Sequence, residues 1–230
     1  MIPRNANPYR FGETVDMSAG VRNRVLRNTY WMLALSMIPT VIGAWIGIAM
    51  QFRMPFSAGI SMLVYLGIAF GLMFAIEKYK NSSAGVGLLL GFTFFMGLML
   101  SRILQVYLAV KHGPEIVTLA AGGTALAFFG LAAYATTSKR DFSGWGKFLF
   151  IGLIMLVVAS IANVFLQLPA LQITIATIGC GLFSALLLFD LSRIVNGGET
   201  NYISATLSIY LDLYNLFISL LQILGFARSE

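Results

Sequence analysis

The amino-acid sequence predicts an all-α integral membrane protein, a bundle of seven transmembrane helices. Of its 230 residues, 58% are hydrophobic and only 10% are charged, and the mean hydropathy is +0.84. A soluble domain carries roughly 25% charged residues, so this chain lacks the charge that a water-exposed surface needs. Soluble enzymes, nucleic-acid-binding modules and secreted disulfide-linked proteins are therefore excluded.

Seven apolar segments follow one another along the chain, and each can cross about 30 Å of hydrocarbon at 1.5 Å per residue. Helices are expected because lipid offers no hydrogen-bond partners to free backbone groups. A β-barrel would need short segments of alternating polarity, which are absent. A six-span version, in which one C-terminal segment is re-entrant, is the alternative. The predicted segments are 29–50, 56–76, 83–106, 116–136, 148–166, 171–194 and 205–226.

The predicted domain organisation is a polar N-terminal tail at 1–28, a seven-helix domain at 29–226 and a short C-terminal tail at 227–230. The N-terminal tail is expected to be exposed and disordered at its start. Whether the part of the tail near the membrane is helical is left open. None of the connections between segments is long enough to form a soluble domain. The membrane bundle is therefore expected to carry the function.

The distribution of Lys and Arg predicts the orientation, because cytoplasmic loops carry an excess of both. Eleven of these residues fall on the side of the N-terminal tail and four on the other side. The N-terminus is therefore predicted to be cytoplasmic and the C-terminus periplasmic. The four residues of the second group are Arg53, Arg102, Lys111 and Arg228.

Two aspartates, Asp190 and Asp212, lie within the last two apolar segments, where ionisable side chains usually serve function. Both are placed about 5–10 Å below the cytoplasmic helix ends at 1.5 Å per residue. Two carboxylates that meet in a low-dielectric site do not both ionise easily and titrate as a unit. The hypothesis is a pair that shares a proton and forms a pH-sensitive latch or cation site. The alternative is that each aspartate bonds a hydroxyl or backbone group, or that Asp190 reaches interfacial water.

Other polar residues are relevant to this hypothesis. Arg193, three residues after Asp190, is a candidate basic partner, or it contributes only to the charge distribution that sets the orientation. Lys78 is a second candidate. Spacings of three and four residues place a polar stripe on one face of the last helix. The stripe is expected to face the bundle interior, where it either lines a cavity or forms hydrogen bonds to neighbouring helices. Besides Asp212, the stripe contains Ser208, Asn215, Ser219 and Gln222.

Further motifs favour packing over chemistry. Three pairs of glycines four residues apart predict close helix contacts. A single histidine, a single cysteine and the absence of nucleophile or phosphate-loop motifs argue against an enzyme. No catalytic residue, resident metal or cofactor is predicted, although Ca²⁺ is a possible permeant ion near the aspartates. The glycine pairs are Gly43/Gly47, Gly67/Gly71 and Gly87/Gly91.

The C-terminal third carries a family resemblance. The run GGETNYI at 197–203 and the run SIYLDLYNLF at 208–217 closely resemble the Bax inhibitor family of seven-span membrane proteins. The runs VLRNTY at 25–30, GGTAL at 122–126 and FLQLPAL at 165–171 resemble its enterobacterial branch. The resemblance extends over 21–227 and implies a location in the bacterial inner membrane.

The resemblance implies two activities. One branch binds the membrane-anchored ATP-dependent protease FtsH and restrains it, which makes FtsH the expected partner beside the lipid bilayer. Another branch is a pH-sensitive calcium leak, and Asp190 and Asp212 fall on its two sensor aspartates. In the modulator branch, the first position can be Glu and the second need not be acidic. The leak branch also has an Arg near the cytoplasmic end of its second helix, a region where this chain has Lys78, which lacks the bidentate fork of Arg.

Overall fold

The computed structural model describes residues 19–138 and 140–228. Within these residues the chain forms seven long α-helices and no strand, and all seven are long and apolar enough to cross a membrane. The predicted all-α seven-helix bundle is confirmed, and the six-span alternative is not supported. The helices are α1 (Ala19–Ala49), α2 (Ala58–Tyr79), α3 (Ser83–Leu108), α4 (Gly113–Thr137), α5 (Gly146–Leu166), α6 (Pro169–Val195) and α7 (Tyr202–Ala227).

The helix ends lie within three residues of the predicted ones, except at the start of α1. This helix begins at Ala19, so residues 19–28 of the predicted tail form its first turns. The remainder of that tail, residues 1–18, lies outside the described residues, as do residues 229–230 of the predicted C-terminal tail.

Consecutive helices run in opposite directions, so their connections lie at two opposite ends of the bundle, named face 1 and face 2. Face 1 holds the start of α1 and the connections α2–α3, α4–α5 and α6–α7, the second of which contains a short 3-10 turn at Ser143–Trp145. Face 2 holds the other three connections and the end of α7. Face 1 is the face that the charge distribution predicts to be cytoplasmic.

Helix α7 is the central element of the bundle. It packs mainly against α6, α4 and α1, and it is the most buried of the seven spans, whereas α5 is the least buried. Leu63, Phe74 and Phe148 on the peripheral helices are exposed, as expected for side chains that face lipid. A functional group on α7 is therefore positioned by several neighbouring helices at once.

Helices α1 and α3 form the most extensive helix pair, and glycine makes their approach possible. A side chain at Gly97 would overlap the main-chain oxygen of Thr40, and one at Gly43 would overlap that of Phe94. The prediction of close packing is thus correct for the first glycine pair. It is wrong for the other two pairs, because nothing lies within 4 Å of a Cβ built at Gly67, Gly71, Gly87 or Gly91.

Candidate functional site

The chain reverses between α6 and α7 through a tight glycine turn. Gly197 has φ 80°, a left-handed conformation that favours glycine. Its N–H donates to the oxygen of Ile194 at 3.2 Å, and the N–H of Gly198 donates to the oxygen of Arg193 at 2.7 Å. These two bonds form a Schellman motif, which satisfies the last carbonyls of the helix. The two helices can therefore run antiparallel with only residues 196–201 between them.

Asn201 starts α7 and ties a neighbouring connection to it. Its Oδ1 accepts hydrogen bonds from the main-chain N–H groups of Ile203 at 2.9 Å and Ser204 at 3.2 Å, which is the geometry of a helix N-cap. Its Nδ2 donates to Oδ1 of Asn81 at 2.8 Å and to the main-chain oxygen of Lys80 at 3.2 Å. One side chain therefore caps α7 and holds the α2–α3 turn against it.

The structure brings Asp190 and Asp212 together. Asp190 lies five residues before the end of α6 at Val195, and Asp212 lies ten residues after the start of α7 at Tyr202. Side chains tilt toward the N-terminus of their helix, so in this antiparallel pair Asp190 tilts away from face 1 and Asp212 tilts toward it. The two carboxyl groups lie within hydrogen-bonding reach of each other. Asp212 is about 15 Å along its helix at 1.5 Å per residue, deeper than predicted, because α7 begins earlier than its apolar run.

Asp212 is the more deeply buried member of this acidic pair, with 6% of its surface exposed. Its Oδ2 atom is fully buried, and no hydroxyl, amide or basic group in residues 19–138 or 140–228 donates a hydrogen bond to it. A buried polar atom without a partner is costly. Two adjacent carboxyl groups can satisfy each other when one of them holds a proton, so Asp190 is the natural partner of Asp212.

Arg193 connects the acidic pair to the α6–α7 connection. Its Nη1 lies 3.5 Å from Oδ1 of Asp190, and its Nη2 lies 3.5 Å from Oε2 of Glu199. The other predicted basic candidate, Lys78, is directed elsewhere, since its Nζ lies 5.7 Å from the ring centroid of Tyr79. The charged groups that act on Asp190, besides its partner aspartate, are Arg193 and Glu199.

The end of α2 contacts α7 through an acidic residue. Oε2 of Glu77 accepts a hydrogen bond from Oγ of Ser204 at 2.8 Å, and its Oε1 is ion-paired with Lys80. The ion pair raises the pKa of Lys80, because Glu77 stabilises the charged ammonium. In this chain, therefore, Glu77 and not Lys78 connects the second helix to the start of α7.

The predicted polar stripe of α7 lies on a side of the helix that neighbouring helices cover. Ser219 and Asp212 are buried, and Oγ of Ser219 lies 2.9 Å from a Cβ built at Gly179 of α6. Asn215 donates to the oxygen of Leu211 at 2.8 Å, within its own helix. The half-buried members are Ser208, Asn215 and Gln222.

Helix α7 has a second polar side, which was not predicted from the sequence. The hydroxyl of Tyr210 lies 2.9 Å from Oγ1 of Thr40 and donates to the main-chain oxygen of Thr93 at 3.4 Å. The hydroxyl of Tyr214 donates to the main-chain oxygen of Met96 at 3.2 Å. These bonds join α7 to α1 and α3. The four-residue spacing of the two tyrosines is the sequence signal for this side, because such residues share one helix face.

The described residues offer little to a resident metal ion. No group of three or more His, Cys, Asp or Glu within them is arranged to hold one. Ca²⁺ takes six to eight oxygen ligands, so the two carboxyl groups of the acidic pair are by themselves too few to fill its coordination shell.

Fold and site together define a class of protein: a seven-helix membrane bundle whose last two helices hold a pair of carboxyl groups, one half-buried and one buried. The family model described as inhibitor of apoptosis-promoting Bax1 matches residues 22–229. The chain belongs to this Bax inhibitor family, as its C-terminal motifs predict.

The relatives are bacterial proteins of nearly the same length. The modulator of FtsH protease YccA of Escherichia coli (strain K12) is 40% identical over 208 residues, which cover 90% of this chain and 92% of the relative. The inner membrane protein YccA of Escherichia coli O6:H1 has the same identity and coverage. An uncharacterized membrane protein of Vibrio cholerae is 43% identical over 208 residues, with 90% and 92% coverage. With seven spans and such relatives, this chain is a multi-pass inner membrane protein.

Proposed function

We propose that this protein modulates a membrane-anchored ATP-dependent protease of the FtsH type, by binding and without catalysis of its own. The observation that carries the proposal is the 40% identity, over 90% of the chain, to the protein named modulator of FtsH protease YccA. Connections between the helices are short, so the contacts with the protease are made by membrane helices and by the N-terminal tail.

The proposed orientation places face 1 and the N-terminal tail in the cytoplasm. The described Lys and Arg residues support it, because they concentrate at face 1. Face 2 holds Arg53, Lys111 and Arg228, with Arg102 inside the span of α3 nearby. The residues at face 1 are Arg22, Arg24, Arg27, Lys78, Lys80, Arg140, Lys147 and Arg193.

Co-purification from the native host tests the binding proposal. The full chain is expected to retain the FtsH protease after detergent extraction. Deletion of residues 2–18, which leaves α1 intact from Ala19, is expected to lengthen the lifetime of the chain several-fold. The polar N-terminal tail is the segment that we propose the protease engages, so its removal is expected to slow degradation of the chain.

The matched control for the tail deletion is a chain in which residues 2–18 are replaced by a Gly/Ser segment of equal length, which keeps the length of the tail but not its sequence. Recovery of the wild-type lifetime with this control supports engagement through the tail. Absence of the protease from the purified chain, together with an unchanged lifetime after the deletion, contradicts the proposal.

A second candidate function is a pH-sensitive leak for calcium or another cation. The contact between Asp190 and the buried Asp212 supports it. Protonation changes the charge of such a pair, and with it the attraction for a cation or for Arg193. The two functions are compatible, since the acidic pair lies inside the bundle and the binding surfaces lie outside it.

A further inference from the structure

A cavity of about 720 Å³ opens at face 2, at the end of the bundle opposite the α6–α7 connection. Its apolar lining includes Val106, Ile116 and Ile173, which belong to the spans of α3, α4 and α6. Its basic lining includes Lys111 and Arg228, which lie just beyond the spans. The cavity therefore changes from apolar to basic along the membrane normal.

Among the described residues, the basic end of the cavity carries one more positive charge than its ion pairs neutralise. Arg228 and Glu115 form a two-point ion pair, with Nη1–Oε2 at 2.6 Å and Nη2–Oε1 at 2.9 Å. Nδ1 of His112 lies 3.5 Å from the same carboxylate. Lys111 has no ion pair with any residue of the described part of the chain, and it is exposed.

A third cation lies on the helix face that continues the cavity wall. Arg102 precedes Val106 by four residues, so the two share one side of α3. It is exposed and lies six residues, about 9 Å at 1.5 Å per residue, inside the end of α3. A lipid-facing arginine at this depth is costly unless its guanidinium reaches the phosphate layer.

We infer that this cavity binds an acidic phospholipid of the leaflet at face 2. The phosphate contacts Lys111 and Arg228, the amides of Gln172 and Gln222 lie in the same lining, and the acyl chains follow Val106 and Ile173. The volume falls within the range of about 300–1,000 Å³ that is typical of ligand pockets. A free phosphate ion would use the basic end and leave the apolar wall unmatched, whereas an amphiphile matches both.

Native mass spectrometry of the purified full chain tests this inference. Dioleoyl phosphatidylglycerol is expected to be retained in preference to dioleoyl phosphatidylcholine. Lys111→Gln is expected to weaken phosphatidylglycerol retention about fivefold, the usual effect of one basic residue near an anionic membrane surface. Lys111→Gln combined with Arg228→Gln is expected to weaken it further. Arg53→Gln is the matched control, because Arg53 is also an exposed cation of face 2 but lies outside the cavity.

Each outcome decides the question. Selective retention that is lost in the Lys111 variant and kept in the Arg53 variant supports the site. Equal retention of the two lipids, or equal behaviour of the two variants, overturns it. Displacement of phosphatidylglycerol by millimolar inorganic phosphate also overturns the lipid assignment, because it identifies a site for a small anion. The single Lys111 variant removes no ion pair between described residues, so its folding is not at risk.

Discussion

Asp212→Asn is expected to abolish the pH dependence of calcium flux through the protein in liposomes. Asparagine keeps the shape of the side chain but cannot titrate, so Asp190 remains as a single carboxylate beside Arg193, at 3.5 Å. The charge of the site then no longer changes through a shared proton. The measurement is calcium entry, followed with an entrapped dye, into vesicles of wild type and variant over a series of external pH values.

Asp141→Asn is the control for this experiment. Asp141 accepts hydrogen bonds from the hydroxyl and main-chain N–H of Ser143, which lower its pKa, and it lies outside the membrane spans. Its replacement is expected to leave the pH profile of flux unchanged. A wild-type profile in Asp212→Asn removes the proposed mechanism. Absence of flux from the wild type at every pH leaves the acidic pair as a structural element and leaves protease modulation as the function.

Gly97→Val is expected to prevent stable packing of α1 on α3. The added Cβ overlaps the main-chain oxygen of Thr40, and a backbone atom in the middle of a helix cannot rotate away as a side chain can. Overpacking of a well-packed core costs about 1–3 kcal/mol and occasionally more, and we expect the upper end here because the overlap is with backbone; this is a large part of the stability of a domain. The measurement is the denaturant midpoint of the purified protein in detergent, together with its yield from the membrane.

Gly91→Val is the matched control for this substitution. It lies on the same helix, yet nothing lies within 4 Å of a Cβ built there. Its effect on the free energy of unfolding is expected to stay within about 0.5 kcal/mol, as for most surface changes. Equal effects of the two variants would contradict the account of α1–α3 packing.

The seven spans could be predicted from the sequence because the lipid environment imposes helix length and polarity on every span. The start of α1 could not, because residues 19–28 are polar and hydropathy does not detect a helix that continues beyond the membrane. Glycine spacing also has limits. It indicates where close approach is possible, and in this fold a neighbouring helix occupies the space at Gly43 and leaves it open at Gly67.

The meeting of Asp190 and Asp212 could be anticipated from chain order, because a two-glycine turn joins antiparallel helices. The partners of the pair depend on side-chain direction, which spacing alone does not determine. Lys78 and Glu77 are adjacent in sequence and therefore point to different sides of α2. In the fold, Glu77 is the one that reaches α7, through Ser204. The bonds of Tyr210 could not be predicted, because a tyrosine in an apolar run resembles a packing residue until its partners are known.

The rate of proteolysis by purified FtsH tests the central claim most directly. The protease is reconstituted with a membrane-anchored substrate and increasing amounts of this protein, and an unrelated seven-helix protein serves as the control for crowding. Degradation is expected to slow and to saturate as the protein binds, with no slowing by the control. An unchanged rate at a large molar excess, with the protein folded and in the same vesicles, would contradict it.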